Sequence, residues 1–360
     1  MKLLILIQSF LVLLFFSPLS AQAQNYRFSH ILTEHILDKA DIQSLHQDQY
    51  GFVWVGSFDG LIQYDGVKSK AFKRRFSDSN SLNHNIIYGI TETPDAIWAV
   101  AWGGDGTIIN RLDKQTNHVR RIPLGQRNSA FDNVISLKNG NFAIGGSNAI
   151  TFFNPKTYES KEYESPRSLS TIELPNEIVV SGIADNKLMI YHPKQGLNYT
   201  LETLNTGYQT SALCIDTLGA VWLGTHRGLK RYYFDENNHK EQVIERLPDA
   251  LKTVAITALC ISFDGALWIG TATQGLYRWH QKDNTLLHFE ANDKLGMLTS
   301  NTINVLMEDN NHLLWIGTPQ GLNVTDLTPS VFQHIYLPRK NALDHNSSFS
   351  VNEDKNRISA

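Results

Sequence analysis

The sequence predicts an all-β protein, a seven-bladed β-propeller of four-stranded antiparallel blades, behind a cleaved export signal. Three observations carry that expectation. They are a short apolar N-terminal run, a tryptophan–glycine unit recurring at a near-constant interval, and the lack of sustained 3.6-residue periodicity beyond the signal. The 360 residues are 42% hydrophobic and 19% charged, which suits a sizeable core and excludes a disordered chain. A formal net charge of −3 argues against nucleic acid as a partner. The one basic cluster, Lys68, Lys70, Lys73, Arg74 and Arg75, is interrupted by Ala71 and Phe72. It reads first as an exposed edge strand kept soluble by charge rather than as a phosphate site.

At the N-terminus, Lys2 precedes an apolar run from Leu3 to Phe16, broken only by Gln8 and Ser9. Pro18 and Ser20 then lead to Ala21-Gln22-Ala23, small residues where a signal peptidase reads. The run is short of the about 20 apolar residues a membrane span needs. Residues 1–23 are therefore expected to be a signal peptide, and the mature chain to be exported to the periplasm. The two cysteines, Cys214 and Cys260, share one context (Ala-Leu-Cys-Ile), each eight residues before a tryptophan. Equivalent positions in neighbouring units point the same way, so buried free thiols are expected.

The repeat organises the rest. Trp54, Trp98, Trp222, Trp268 and Trp315 each follow a turn and open a strand. Spacings are 44 residues from Trp54 to Trp98, 46 from Trp222 to Trp268 and 47 from Trp268 to Trp315. The wider gap after Trp98 holds two degenerate copies, with Phe142 and Ile178 assigned to the tryptophan slot. Each unit reads as an apolar inner strand, a turn rich in Asp and Gly, the tryptophan strand, a Gly-Leu strand and a polar outer strand. The ring is expected to fill the gap between blades, and the glycine two residues on to admit a neighbouring backbone. A closed ring needs its ends tied, and Tyr26 to Ile31 looks like a fourth strand for the last blade. Domains are thus expected at 1–23 (signal), 24–330 (propeller) and 331–360, where Val331 to Tyr336 and Ser348 to Asn356 look like the start of a second propeller.

At these residues the sequence resembles the two-component regulator propeller repeat: acidic turn, Gly, hydrophobic residue, Trp, Ile or Val, Gly, Thr or Ser, then Gly-Leu. Blades 5 and 6 follow it almost throughout, as in Trp222-Leu223-Gly224-Thr225 and Trp268-Ile269-Gly270-Thr271. Blade 1 has Ser57 for Thr, blade 7 has His312 for the turn glycine, and blade 2 has Ala99-Val100-Ala101 after its tryptophan. The resemblance implies the periplasmic ligand-sensing region of a signal-transduction protein. In such proteins tandem propellers precede a membrane-anchored output module, a histidine kinase or a diguanylate cyclase, in a dimeric parent. No enzyme activity and no cofactor is expected of this chain itself.

Up-and-down blades place the turns of Asp48, Asp216 and Asp264 at one end, where the carboxylates cap backbone N–H groups. The opposite end is the expected ligand mouth. Its candidates are Phe58, Asp59, His84, Trp102, His226, Arg227, Gln274 and Gln320, with Asp105, Thr273, Asn85, Tyr208, Gln209 and Asn301 nearby. Aromatic faces with amide and guanidinium groups suit a small carbohydrate or acid. Trp102 stands out because blade 2 alone abandons the Gly-Thr step to place a second tryptophan four residues after Trp98. Gly103-Gly104-Asp105-Gly106 lacks the Lys-Ser/Thr and helix of a phosphate loop. The thirteen histidines, His30, His35 and His46 among them, show no metal-ligand spacing. A sialidase-type hydrolase would show Ser-x-Asp-x-Gly-x-x-Trp turns and an arginine cluster, and a quinone-dependent dehydrogenase an eight-bladed repeat with metal ligands on the axis, and the sequence shows neither pattern. An exported scaffold for protein–protein interaction is the alternative to sensing.

Overall fold

The computed structural model describes residues 26–328, except 33–36, 38–39, 102–107, 126, 129, 236–237, 243, 245 and 293–295. The expected signal peptide and second propeller lie outside those residues. Seven four-stranded antiparallel sheets follow one another around a ring. Blade 1 comprises Ile42–Gln47, Val53–Ser57, Gly60–Tyr64 and Ser69–Phe72 from the axis outward. Blades 2 to 6 span 87–123, 131–164, 168–205, 210–241 and 256–289 in the same order. Blade 7 takes Val305–Glu308, Leu313–Thr318 and Gly321–Asp326, and its outer strand is Ser29–His30 from the other end of the chain. Ser29 pairs with Val324 and His30 with Asn323, so the ring closes as the sequence predicts. Among the described residues the only helix is a single 3₁₀ turn, Asp249–Leu251.

Each tryptophan ring packs forward onto the next blade. Trp54 joins the core of blade 2 with Ile87, Ile90 and Ile97, and Trp315 joins that of blade 1 with Val53, Val55 and Tyr64. The indole N–H of each donates to a side chain in the turn below. The acceptors are Asp48 (2.9 Å), Asp216 (3.1 Å) and Asp309 (2.8 Å), with Thr93 (2.9 Å) in blade 2 and Ser262 (3.2 Å) in blade 6. Such a pairing matters because a buried indole donor without a partner costs about 1–3 kcal/mol.

Strand register corrects two assignments. In blade 3 the partner of Ile135 is Ala143, so Ala143 holds the tryptophan slot and Phe142 stands one residue before it. In blade 4 the slot is Val180, paired with Ile172, and Ile178 lies two residues earlier, before the strand begins. In blade 6 the turn position of Asp48 is held by Ser262, and Asp264 stands two residues later, bonding Ala266 N–H and Arg278. Where the tryptophan is missing, its acceptor is missing too, for the turn position becomes buried Leu137 in blade 3 and Leu174 in blade 4. Donor and acceptor are lost together, which leaves no orphan. Phe152, opposite Ala143 on the third strand, supplies the ring and stacks on Tyr199 at 3.7 Å.

The glycine after each tryptophan is where the next blade comes closest. A Cβ at Gly56 would meet Ile87 at 2.9 Å, and one at Gly317 would meet Ile42 at 2.6 Å. Blade 2 solves the problem in reverse. Val100 occupies the glycine position, and its cross-strand partner is Gly89, whose own Cβ would strike Val100 at 2.8 Å. His312 adopts the left-handed φ of 62° that Gly51 adopts in blade 1 at 89°. Its ring lies over Phe263 at 4.0 Å and bonds Glu308.

Candidate ligand site at the channel mouth

The inner strands begin at the predicted mouth and share an irregularity there. In blades 1 to 6 the register slips by one residue after the first strand position, as between Ile42 and Ser44 or Phe131 and Asn133. The skipped residues are Gln43, Tyr88, Asp132, Leu169, Ser211 and Thr257. Blade 7 matches with Asn304, whose N–H bonds Gly317 O just before its inner strand. A bulge of this kind re-aims a side chain out of the ladder. All seven of these residues line one cavity of about 250 Å³ on the axis. Below them the lining turns aliphatic, with Leu45, Ile90, Val134, Leu213, Leu259 and Leu306. The result is a polar cup over an apolar floor.

One charged pair holds the rim. Asp132 accepts two bonds from Arg167, Nη2 to Oδ1 at 2.6 Å and Nε to Oδ2 at 3.0 Å. The Asp132 side chain is 7% exposed and that of Arg167 52%, so the guanidinium compensates a nearly buried carboxylate while staying open to solvent. Burial, and then the Asp132 charge, push the Tyr88 hydroxyl above its usual pKa, so Tyr88 remains a donor at neutral pH. Across the ring, Asp41 Oδ1 accepts from Gln43 (2.7 Å) and Asn304 (2.9 Å), tying blade 7 to blade 1. Ser44 and Asn133 also line the cavity, but Ser44 Oγ and Asn133 Oδ1 are fully buried against Gly56 and Gly145 of the second strands.

Of the residues singled out from the sequence, those among the described residues lie at this same end, and none of them lines the cavity. Phe58-Asp59, His226-Arg227 and Gln320 occupy tight turns between second and third strands. There Ser57, Thr225 or Thr318 Oγ bonds the carbonyl of Gly60, Gly228 or Gly321 and accepts the N–H of Asp59, Arg227 or Gln320. Thr273 and Gln274 are on the matching blade 6 turn, held by Thr271. These turns stand one to two strand spacings, about 5–10 Å, outward of the inner strands that line the cavity. Phe58 comes nearest, with its ring edge-on to Tyr88 at 6.0 Å. Asp59 pairs with Lys73, and Gln274 accepts from Tyr277 OH. His84 Nδ1 accepts from Ile86 N, Asn85 from Arg74 N and Asn301 from Ala291 N, while Tyr208 lies beneath Lys230 and Gln209 O accepts from His226 N. Burial, then Arg74, lower the His84 pKa. Trp102 and Asp105 lie outside the described residues. The cavity ring had one sequence signal, a variable residue between a β-branched or aromatic position and a small one, as in Ile42-Gln43-Ser44, Ile87-Tyr88-Gly89 and Ile256-Thr257-Ala258.

Among the described residues no group of three or more His, Cys, Asp or Glu could hold a metal, and no helix is long and apolar enough to cross a membrane. Cys214 and Cys260 are free and share one register, opposite Trp222 and Trp268. Burial pushes both thiols up in pKa, Cys260 to about 11.

No curated protein is significantly similar to the chain in sequence. Among solved structures, the extracellular domain assigned to a hybrid two component system of B. thetaiotaomicron is 19% identical, with a TM-score of 0.70 over 85% of this chain and 42% of its own. Another extracellular domain from that organism, assigned to a one component system, is 21% identical, with a TM-score of 0.68 over 83% of this chain and 40% of its own. The chain thus spans about two fifths of those domains. Virginiamycin B lyase from Staphylococcus aureus, an inactive variant seen with quinupristin, is 13% identical, with a TM-score of 0.65 over 84% of this chain and all of its own. At these identities the likeness is one of fold. Residues 297–320, which run into the tryptophan strand of blade 7, match the two component regulator propeller family, and the chain carries that repeat within a seven-bladed propeller.

Proposed function

We propose that the chain is the exported, non-catalytic ligand-sensing region of a signal-transduction protein, and that its ligand enters the axial cup. The observation that carries this reading is the ring of seven residues, six at bulges and Asn304 at the matching position of blade 7, that line the cup. A scaffold repeated blade by blade aims a different side chain at one point from every blade, which is how a fixed fold carries a specific site. The donors and acceptors around Asp132 and Arg167 suit a small hydroxylated or carboxylated molecule. The family match and the two extracellular neighbours support sensing. The output module, histidine kinase or diguanylate cyclase, belongs to residues other than these.

The test is a thermal-shift screen of sugars and small acids, followed by calorimetric titration of the best hit. Arg167→Gln and Tyr88→Phe should each weaken binding, the first by at least about tenfold, because a charge-assisted hydrogen bond is lost. Parental affinity in both variants, with loss in Trp102→Ala or Arg227→Ala, would move the site to the outer turns.

A further inference from the structure

The outer strand of blade 1, Ser69–Phe72, is a free sheet edge, and it is bracketed by two of the most exposed apolar residues described. Val67 is 78% exposed at its start and Phe76 is 92% exposed beyond its end. Lys68, Lys70, Lys73, Arg74 and Arg75 lie between them. Against blade 2 the edge forms a crevice of about 330 Å³, lined by Lys70, Lys73, Arg75, Asn80, Asn117 and His118 among others. Its floor is built rather than loose. Asn80 O accepts from Val119 N at 3.0 Å, and Arg121 is fixed on the carbonyls of Asp78, Ser81 and Leu82. The carboxylate lining the crevice, Asp78, stands 3.9 Å from Arg75, a loose contact that leaves the guanidinium, 77% exposed, available.

We infer that this edge docks the protein on an anionic phospholipid bilayer, with a phosphate headgroup in the crevice and Phe76 and Val67 in the interface. Lysines along a sheet edge oppose pairing with another strand, so a β-strand partner is disfavoured. Cations interleaved with lone, fully exposed apolar side chains are what an anionic membrane surface binds. Each basic residue near such a surface contributes about fivefold in affinity. Arg74 lies over the Phe76 ring at 4.6 Å, so the two enter together.

The experiment is cosedimentation of the full chain with vesicles of phosphatidylglycerol and phosphatidylcholine, against phosphatidylcholine alone. Binding is expected only to the mixed vesicles and should fall as salt rises. Lys70→Glu with Arg75→Glu should lose at least about thirtyfold, and Phe76→Ser should weaken binding without altering the salt dependence. All three residues are exposed, so the variants should melt as the parent does. Equal binding to both vesicle types, or unchanged binding by the double variant, would overturn the inference. So would stabilisation by inorganic phosphate or polyglutamate without vesicle binding, which would assign the crevice to a free anion or an acidic protein.

Discussion

Replacing Phe28 by alanine isolates the closure of the ring. Phe28 is 2% exposed and shares a core with Leu298, Leu306, Leu314 and Leu327, the seam between blades 6 and 7. Its ring meets Phe289 edge-on at 5.2 Å. The backbone bonds of the closing segment, Phe28 N to Gly296 O and Ile31 N to Leu322 O, survive the change, so the side chain alone is removed. Truncating a buried phenylalanine costs about 3–5 kcal/mol, of which the aromatic pair supplies about 0.5–1.5. For the unit Asn25–Thr328, unfolding entropy is about 0.6 kcal/mol per kelvin, so 4 kcal/mol lowers Tm by about 6 °C. Calorimetry of Phe28→Ala beside Phe76→Ala, whose ring is exposed, makes the comparison. A Tm within about 1 °C of the parent would refute the view that this strand locks the ring.

Three other outcomes follow from the same structure. Asp216→Ala strips the acceptor from Trp222 and the carboxylate from Arg231, and should cost about 2–4 kcal/mol in urea unfolding. Burial holds the His46 pKa below its usual value, against the opposing pull of Glu92 and Asp48 and with a small lowering from Lys114. The unfolded chain then takes up the proton first, so stability is full above about pH 6.5 and falls as pH drops from there toward the folded pKa. His46→Gln should flatten that part of the pH–stability curve, and an unchanged slope would contradict it. Cys214 and Cys260, raised in pKa by burial, should react slowly with a thiol reagent at pH 8 until the protein is unfolded. Two fast native thiols would contradict this.

The blade count, the ring closure and the forward packing of the tryptophans were legible because they depend on residues with strong steric demands. A tryptophan needs a gap, and a glycine marks where a neighbouring backbone arrives. Reading failed where those demands were met by other means. In blades 3 and 4 the large apolar residues near the expected spacing are Phe142 and Ile178, whereas the slot itself holds Ala143 and Val180. The aromatic volume had moved to Phe152 across the ladder, and the loss of the turn acid at Leu137 and Leu174 was the overlooked sign. An indole that needs no acceptor is an indole that is absent. The exchange of Gly89 for a glycine at Val100 follows the same logic, since one strand of a pair can carry the small residue for both.

The candidate site was harder to see because its residues obey no shared rule. Gln43, Tyr88, Asp132, Leu169, Ser211, Thr257 and Asn304 have one position in common and no chemistry in common. A search for repeated residue types passes over them. What they share is a place at the start of the inner strand, at a bulge in six of the seven, and such a place is set by backbone register rather than by the identity of the residue. The outer turns drew attention for the opposite reason, since Phe58, His226 and Arg227 follow a repeated Ser/Thr and precede a repeated Gly-Leu. Their hydroxyl-capped geometry shows why that frame repeats: it shapes the hairpin. In a repeat protein, then, the positions to examine for recognition are those where invariant backbone geometry meets variable side chains at a common point. Here that point is on the axis, with Arg167 and Asp132 as its only ion pair among the described lining residues and their neighbours.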